Sequence, residues 1–155
     1  MPVDSFTTFR VVKKFGRGGL TAKSLRTGDI LNDVEDFTPD VVVLMIGGND
    51  IDVAEPKLKE TVADINAIFN RLRTHCPEVY VVEVLPRYNP TVKPALEFQK
   101  MRSHINQKVR NKIKFFGHYF IHIKNMNSSW IGPDGVHFIP RWYRDMAIQV
   151  RIRIS

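Results

Sequence analysis

Three short segments hold the residues best suited to chemistry in this sequence of 155 residues. They are Gly16-Arg17-Gly18-Gly19-Leu20-Thr21, Gly47-Gly48-Asn49-Asp50 and Gly132-Pro133-Asp134-Gly135-Val136-His137. Glycine lets backbone N–H groups come close to a ligand. A side-chain amide is a neutral hydrogen-bond donor. A carboxylate and an imidazole three residues apart are proton-transfer groups. Each segment also has a plainer use. Glycine after a strand makes a turn, Asn or Asp there caps the next helix, Asp-Gly is turn chemistry, and a lone histidine is often a packing or surface residue. Taken together, in this order and on these elements, the plainer uses lose ground.

The elements that must position these segments follow from hydrophobic period. Short apolar runs alternate with longer segments of helical period, the pattern of an α/β fold with a parallel sheet. Strands are expected at Phe9–Phe15, Val41–Ile46, Val79–Leu85 and His118–Ile123. The second and third are apolar on both faces, as strands covered by helices on each side should be. Helices are expected over Ser24–Val34 and along the stripe Leu58, Val62, Ile65, Phe69 and Leu72, with Pro56 near its start. A further stripe comprises Phe98, Met101, Ile105 and Val109, and a last helix opens at Pro140. The order is β-α-β-α-β-α-β-α. Ligands of open α/β sheets bind beyond the carboxyl ends of the strands, so the three segments converge on one rim.

Composition bounds the rest. With 43% hydrophobic and 25% charged residues the chain is of ordinary globular type. It reads as an N-terminal tail, 1–8, and a single domain, 9–155, incomplete at its N-terminus. No run of 18 apolar residues calls for a membrane span, and no secretory signal pattern opens the chain, so a cytoplasmic protein is expected. The single cysteine, Cys76, suits a reducing compartment and reads as a small buried residue. A net charge of +7 favours anionic partners such as nucleic acid or acidic membrane surfaces. Lys108, Arg110, Lys112, Lys114, Arg141, Arg144, Arg151 and Arg153 would carry such binding, with Trp142 and Tyr143 as the nearby aromatic residues. No cofactor or metal is expected. His118 and His122 stand alone without a His/Cys cluster, and no lysine follows the glycines at phosphate-loop spacing.

Gly19 in its turn, Gly47-x-Asn49-Asp50 after an apolar strand, and Asp134-x-x-His137 before the last helix resemble successive blocks of the SGNH (GDSL-like) hydrolases. The resemblance covers nearly the whole chain from Phe9. More loosely, the chain resembles the esterase-like domains in first-open-reading-frame proteins of LINE-type retroelements. The family resemblance implies a flavodoxin-like three-layer α/β/α fold and hydrolysis of small acyl or lipid esters. It implies that a serine attacks the ester carbonyl, with His137 as general base and Asp134 fixing its tautomer. It assigns the oxyanion to the Gly19 N–H, the Asn49 amide and the serine's own N–H.

The family's first block, Gly-Asp-Ser at the end of an apolar strand, is echoed only by Asp4-Ser5. A nucleophile at a strand end must be followed by a crossover of roughly 10–12 residues and a strand of about five before the next glycine loop. Ser5 and Gly19 are only 14 apart. Ser24 and Ser103 belong to helices, Ser128 and Ser129 to a loop, and Thr21 would be an unusual nucleophile. The sequence thus points to an esterase fold with its acid–base pair but without its nucleophile, hence inactive or a fragment. Two alternatives stand beside it: an active esterase with an unrecognised nucleophile, and a basic nucleic-acid-binding module. In the flavodoxin-like strand order 2-1-3-4-5 the absent first strand lies between Phe9–Phe15 and Val41–Ile46, and these two are expected to close up directly.

Overall fold

The computed structural model describes residues 13–114 and 119–123. Its elements are α1 (Ala22–Thr27), α2 (Ile30–Phe37), β1 (Val41–Leu44), α3 (Gly48–Ile51), α4 (Leu58–His75), β2 (Glu78–Val82), α5 (Ala95–Ile113) and β3 (Tyr119–Ile121). The strands form a parallel sheet in the order β1-β2-β3, with Val41 opposite Glu78 and Tyr80 opposite Tyr119. Parallel neighbours require crossovers, and α4 and α5 supply them.

Both long helices are those that the apolar stripes announce. Ile65, Ile68, Phe69 and Leu72 of α4 are at most 2% exposed, as are Phe98, Ile105, Val109 and Ile113 of α5. They pack with Ala22, Leu25, Leu31 and Val34 of the short helices and with Val79 and Val81 of β2 in one core. Tyr80 and Val82 point the other way and are also buried, so β2 is covered on both faces. Ion pairs fasten the outer surface. Arg26 of α1 holds Asp64 of α4 at 2.6 Å, and Arg71 of α4 grips Glu35 of α2. The hydrogen bond from Arg71 keeps the Glu35 carboxyl below its ordinary range. At the end of α4, Cys76 is 5% exposed and its thiol donates to the Glu78 carbonyl at 3.2 Å. Burial pushes that thiol up.

The structure departs from the sequence expectations in three places. Lys13, Lys14 and Phe15 form no strand. Phe15 instead packs edge-on against Phe37 at the end of α2, with ring centroids 5.9 Å apart and the Lys13 ammonium over both rings. The expected direct closure of β1 on Phe9–Phe15 involves residues 9–12, which lie outside the described residues. The single helix expected over Ser24–Val34 is two, broken at Gly28-Asp29, where the Gly28 N–H closes α1 on the Ser24 carbonyl. The strands are also shorter than their apolar runs. Glu83 N–H still donates to the Ile121 carbonyl at 2.9 Å, but beyond it the backbone finds side chains: Val84 N–H donates to Asn106 Oδ1 at 2.7 Å, and the Val84 carbonyl accepts from Arg102 and Asn106. The last expected helix, after Pro140, lies outside the described residues.

Candidate active site

Beyond the carboxyl end of β1 the chain turns at Gly47, whose φ of +123° is a conformation other residues rarely adopt. A Cβ there would also sit 2.7 Å from Val84 Cγ2, so both backbone and packing call for glycine. The turn opens the single-turn helix α3, which carries Asn49 and Asp50. Opposite it lies the glycine segment, where Leu20 N–H closes a turn on the Arg17 carbonyl at 3.2 Å and Gly19 has φ +75°. Thr21 then caps α1: its hydroxyl accepts from the Ser24 N–H, and the Ser24 hydroxyl in turn accepts from the Thr21 N–H. Thr21 and Ser24 are therefore occupied in a capping box.

Neighbouring residues of α3 hold this segment at two points. Asn49 Nδ2 donates to the Leu20 carbonyl at 2.9 Å, and both Asp50 oxygens accept from the Ala22 N–H at 3.0 Å. Burial pushes the Asp50 carboxyl above its ordinary value, against the opposing pull of the Ala22 N–H. Asn49 is thus brought against the residue next to Gly19. No hydrogen bond among the described residues uses the Gly19 N–H. An amide and a free backbone donor on facing turns can together receive a negatively charged oxygen. Asp134 and His137 lie outside the described residues, as do Ser5, Ser128, Ser129 and His118.

Sequence reasoning passed over two further residues at this rim. Arg87, five residues past β2, donates from Nη2 to Asn49 Oδ1 at 2.9 Å and lies 3.4 Å from Asp52 Oδ2 through Nη1. Asp52 accepts the N–H groups of Thr91, Val92 and Lys93 at 2.7–2.9 Å, and its side chain is 4% exposed. Burial alone would raise the Asp52 carboxyl, but those three N–H groups and the Arg87 cation together bring it below its ordinary value. The signal was available. The loop after Val79–Leu85 also leaves a strand's carboxyl end, and it carries an arginine.

A second polar group sits at the ends of β2 and β3. The buried Glu83 places Oε2 2.8 Å from His122 Nδ1 and accepts the Ile123 N–H on Oε1 at 3.3 Å, beside a cleft of about 340 Å³ that Arg102 and Tyr88 also line. Among the described residues, no three His, Cys, Asp or Glu side chains gather as metal ligands do, and no helix is long and apolar enough to cross a membrane.

A flavodoxin-like α/β sheet with a glycine turn and a Gly-x-Asn-Asp turn on one rim defines a class. The model of the GDSL-like lipase/acylhydrolase family matches residues 4–144. The chain belongs to that family. Solved structures agree at the level of fold. A GDSL-like lipase from Bacteroides thetaiotaomicron superposes with a TM-score of 0.75 at 21% identity, over 88% of this chain and 71% of that one. A carbohydrate esterase family 3 protein from Talaromyces cellulolyticus gives 0.70 at 18% identity, over 90% and 68%. An acetylxylan esterase from Geobacillus stearothermophilus gives 0.71 at 16% identity, over 88% and 68%. No curated protein matches the chain.

Proposed function

We propose that residues 1–155 form an esterase-fold unit for small acyl or lipid esters, and that these residues by themselves bind the ester carbonyl without turning it over, as an inactive protein or as a piece of a longer one. Gly19 N–H and the Asn49 amide form the oxyanion pocket, and Asp134 with His137 supply the proton-transfer pair. The observation that carries the reading is the Asn49–Leu20 hydrogen bond, which sets a side-chain amide against the glycine turn at the carboxyl end of β1. Turnover needs a hydroxyl nucleophile whose proton passes to His137 as the oxygen attacks the carbonyl. Thr21 and Ser24 are tied up in the helix cap, and Ser5 is too near Gly19 in the chain for a crossover and a strand to intervene.

The test is hydrolysis of p-nitrophenyl acetate and butyrate. The expected rate for residues 1–155 is close to the buffer background, because with no hydroxyl among them placed as a nucleophile only the weak residual effect of oxyanion binding remains. A robust rate abolished by His137→Ala overturns the inactive reading. A second reading, an active esterase using Ser5, is favoured by the span of the family match, which begins at residue 4 and so takes in Asp4-Ser5. In that case Ser5→Ala also abolishes the rate, and a serine-directed phosphonate labels the unsubstituted chain.

A further inference from the structure

An amide side chain is nearly symmetric in shape, and its usefulness as a donor depends on which end faces the ligand. At Asn49 two neighbours decide this. The Leu20 carbonyl can only accept, so it takes Nδ2; the Arg87 guanidinium can only donate, so it takes Oδ1. We propose that Arg87 is the positioning residue of this site: it holds Asn49 with its oxygen turned to the guanidinium and its second Nδ2 hydrogen available for an oxyanion. The inference rests on the reading of Asn49 as an oxyanion donor. A cation on the amide oxygen also draws electron density from nitrogen, which strengthens the remaining N–H as a donor.

Arg87 is itself built in. Asn49 and Asp52 are three residues apart on and just past the single turn of α3, so they lie on one side and clasp the guanidinium between an amide oxygen and a carboxylate. The guanidinium lies over the Phe98 ring, its carbon 5.6 Å from the centroid. Asp52 is anchored by the three N–H groups at Thr91, Val92 and Lys93, so the loop between β2 and α5 pins the clasp from the far side. Gly48 leaves the space: a Cβ there would lie 2.9 Å from Arg87 Nη2. These contacts leave the Arg87 side chain only 18% exposed. A guanidinium serving only the surface needs neither the glycine nor the carboxylate nest.

The experiment uses the whole chain labelled with ¹⁵N, with sodium acetate as a probe that carries a charged oxygen. The two Asn49 side-chain protons are assigned by their loss in Asn49→Ala and followed in the unsubstituted chain, Arg87→Met, Arg87→Lys and Gly48→Ala. In Arg87→Met the Leu20 carbonyl alone holds the Asn49 amide and its oxygen loses the cation, so the two resonances move toward the separation of an exposed amide and acetate binding weakens about five- to tenfold. Arg87→Lys retains a cationic donor and restores part of both signals. Gly48→Ala displaces only the end of a flexible side chain, so it folds and yet shows the shifted Asn49 pair; it decides the matter if Arg87→Met does not fold. An Asn49 pair and an acetate affinity unchanged in Arg87→Met and Gly48→Ala overturn the inference. Acetate that leaves Asn49 of the unsubstituted chain unmoved overturns the oxyanion reading instead, and the resonance separation measured without acetate still decides the role of Arg87.

Discussion

At the residue scale the rim is held by charge-assisted hydrogen bonds in a nearly dry setting, where they are stronger than neutral ones. Asp52 collects three N–H groups and one guanidinium. Its carboxyl is held below the ordinary aspartate value of 3.8, so its contribution is fully present above that value and is lost as pH falls through the lower folded value. Asp52→Asn keeps the shape but not the charge. It should cost about 1–2 kcal/mol near neutral pH, and urea midpoints measured down the acid range should show the gap to the unsubstituted chain closing. A gap that is constant with pH would mean that the charge of Asp52 does not matter. Asn49 and Gly19 were legible in the sequence because their types and their places after apolar runs mark them out. Arg87 could be suspected from its place after an apolar run, but its pairing with Asp52 was not legible, since 35 residues separate them and neither forms a local pattern with the other. Only the parallel register of β1 and β2 brings their loops together.

Elements differ in how much of their own stability they carry. The long helices α4 and α5 announce themselves by stripes that the structure buries almost completely. The six residues of α1 are too few for an independent helix. They depend on the Thr21–Ser24 box and on Asp50, which receives the Ala22 N–H at the head of the helix. Asp50→Ala should therefore loosen α1 selectively, raising amide exchange at Ala22–Leu25 by about tenfold while α4 keeps its protection. Asp50→Asn keeps an acceptor without the buried charge and should restore much of that protection. Equal loss of protection in α1 and α4 would show that Asp50 supports the whole fold rather than this helix. The break between α1 and α2 escaped the periodicity argument because Ala22, Leu25, Ile30, Leu31 and Val34 are all buried on both sides of it. Gly28-Asp29 was the punctuation to read. The shorter strands have a similar cause: an apolar run outlasts its ladder where side chains such as Asn106 and Arg102 take over the backbone groups.

Across the whole molecule the net charge of +7 sets the long-range field. Lys108, Arg110 and Lys112 are exposed along the end of α5 and Lys114 at its C-cap, a display suited to weak attraction of polyanions. We expect any binding to single-stranded oligonucleotides to be indifferent to sequence and to fall steeply between 50 and 200 mM salt, roughly as the number of neutralised phosphates dictates. Tight, sequence-dependent binding that survives high salt would instead favour a nucleic-acid module. The one cysteine offers a different view of the same molecule. Cys76 stands where α4 hands the chain to β2, buried and bound to the Glu78 carbonyl, and burial pushes its thiol up. A disulfide reagent can reach it only after that junction opens, so its labelling rate is a clock for the opening of the crossover, read without any engineered probe. The rate should accelerate through the urea transition in step with the loss of circular dichroism. Labelling that runs ahead of that loss would reveal that the α4–β2 junction parts before the rest of the sheet.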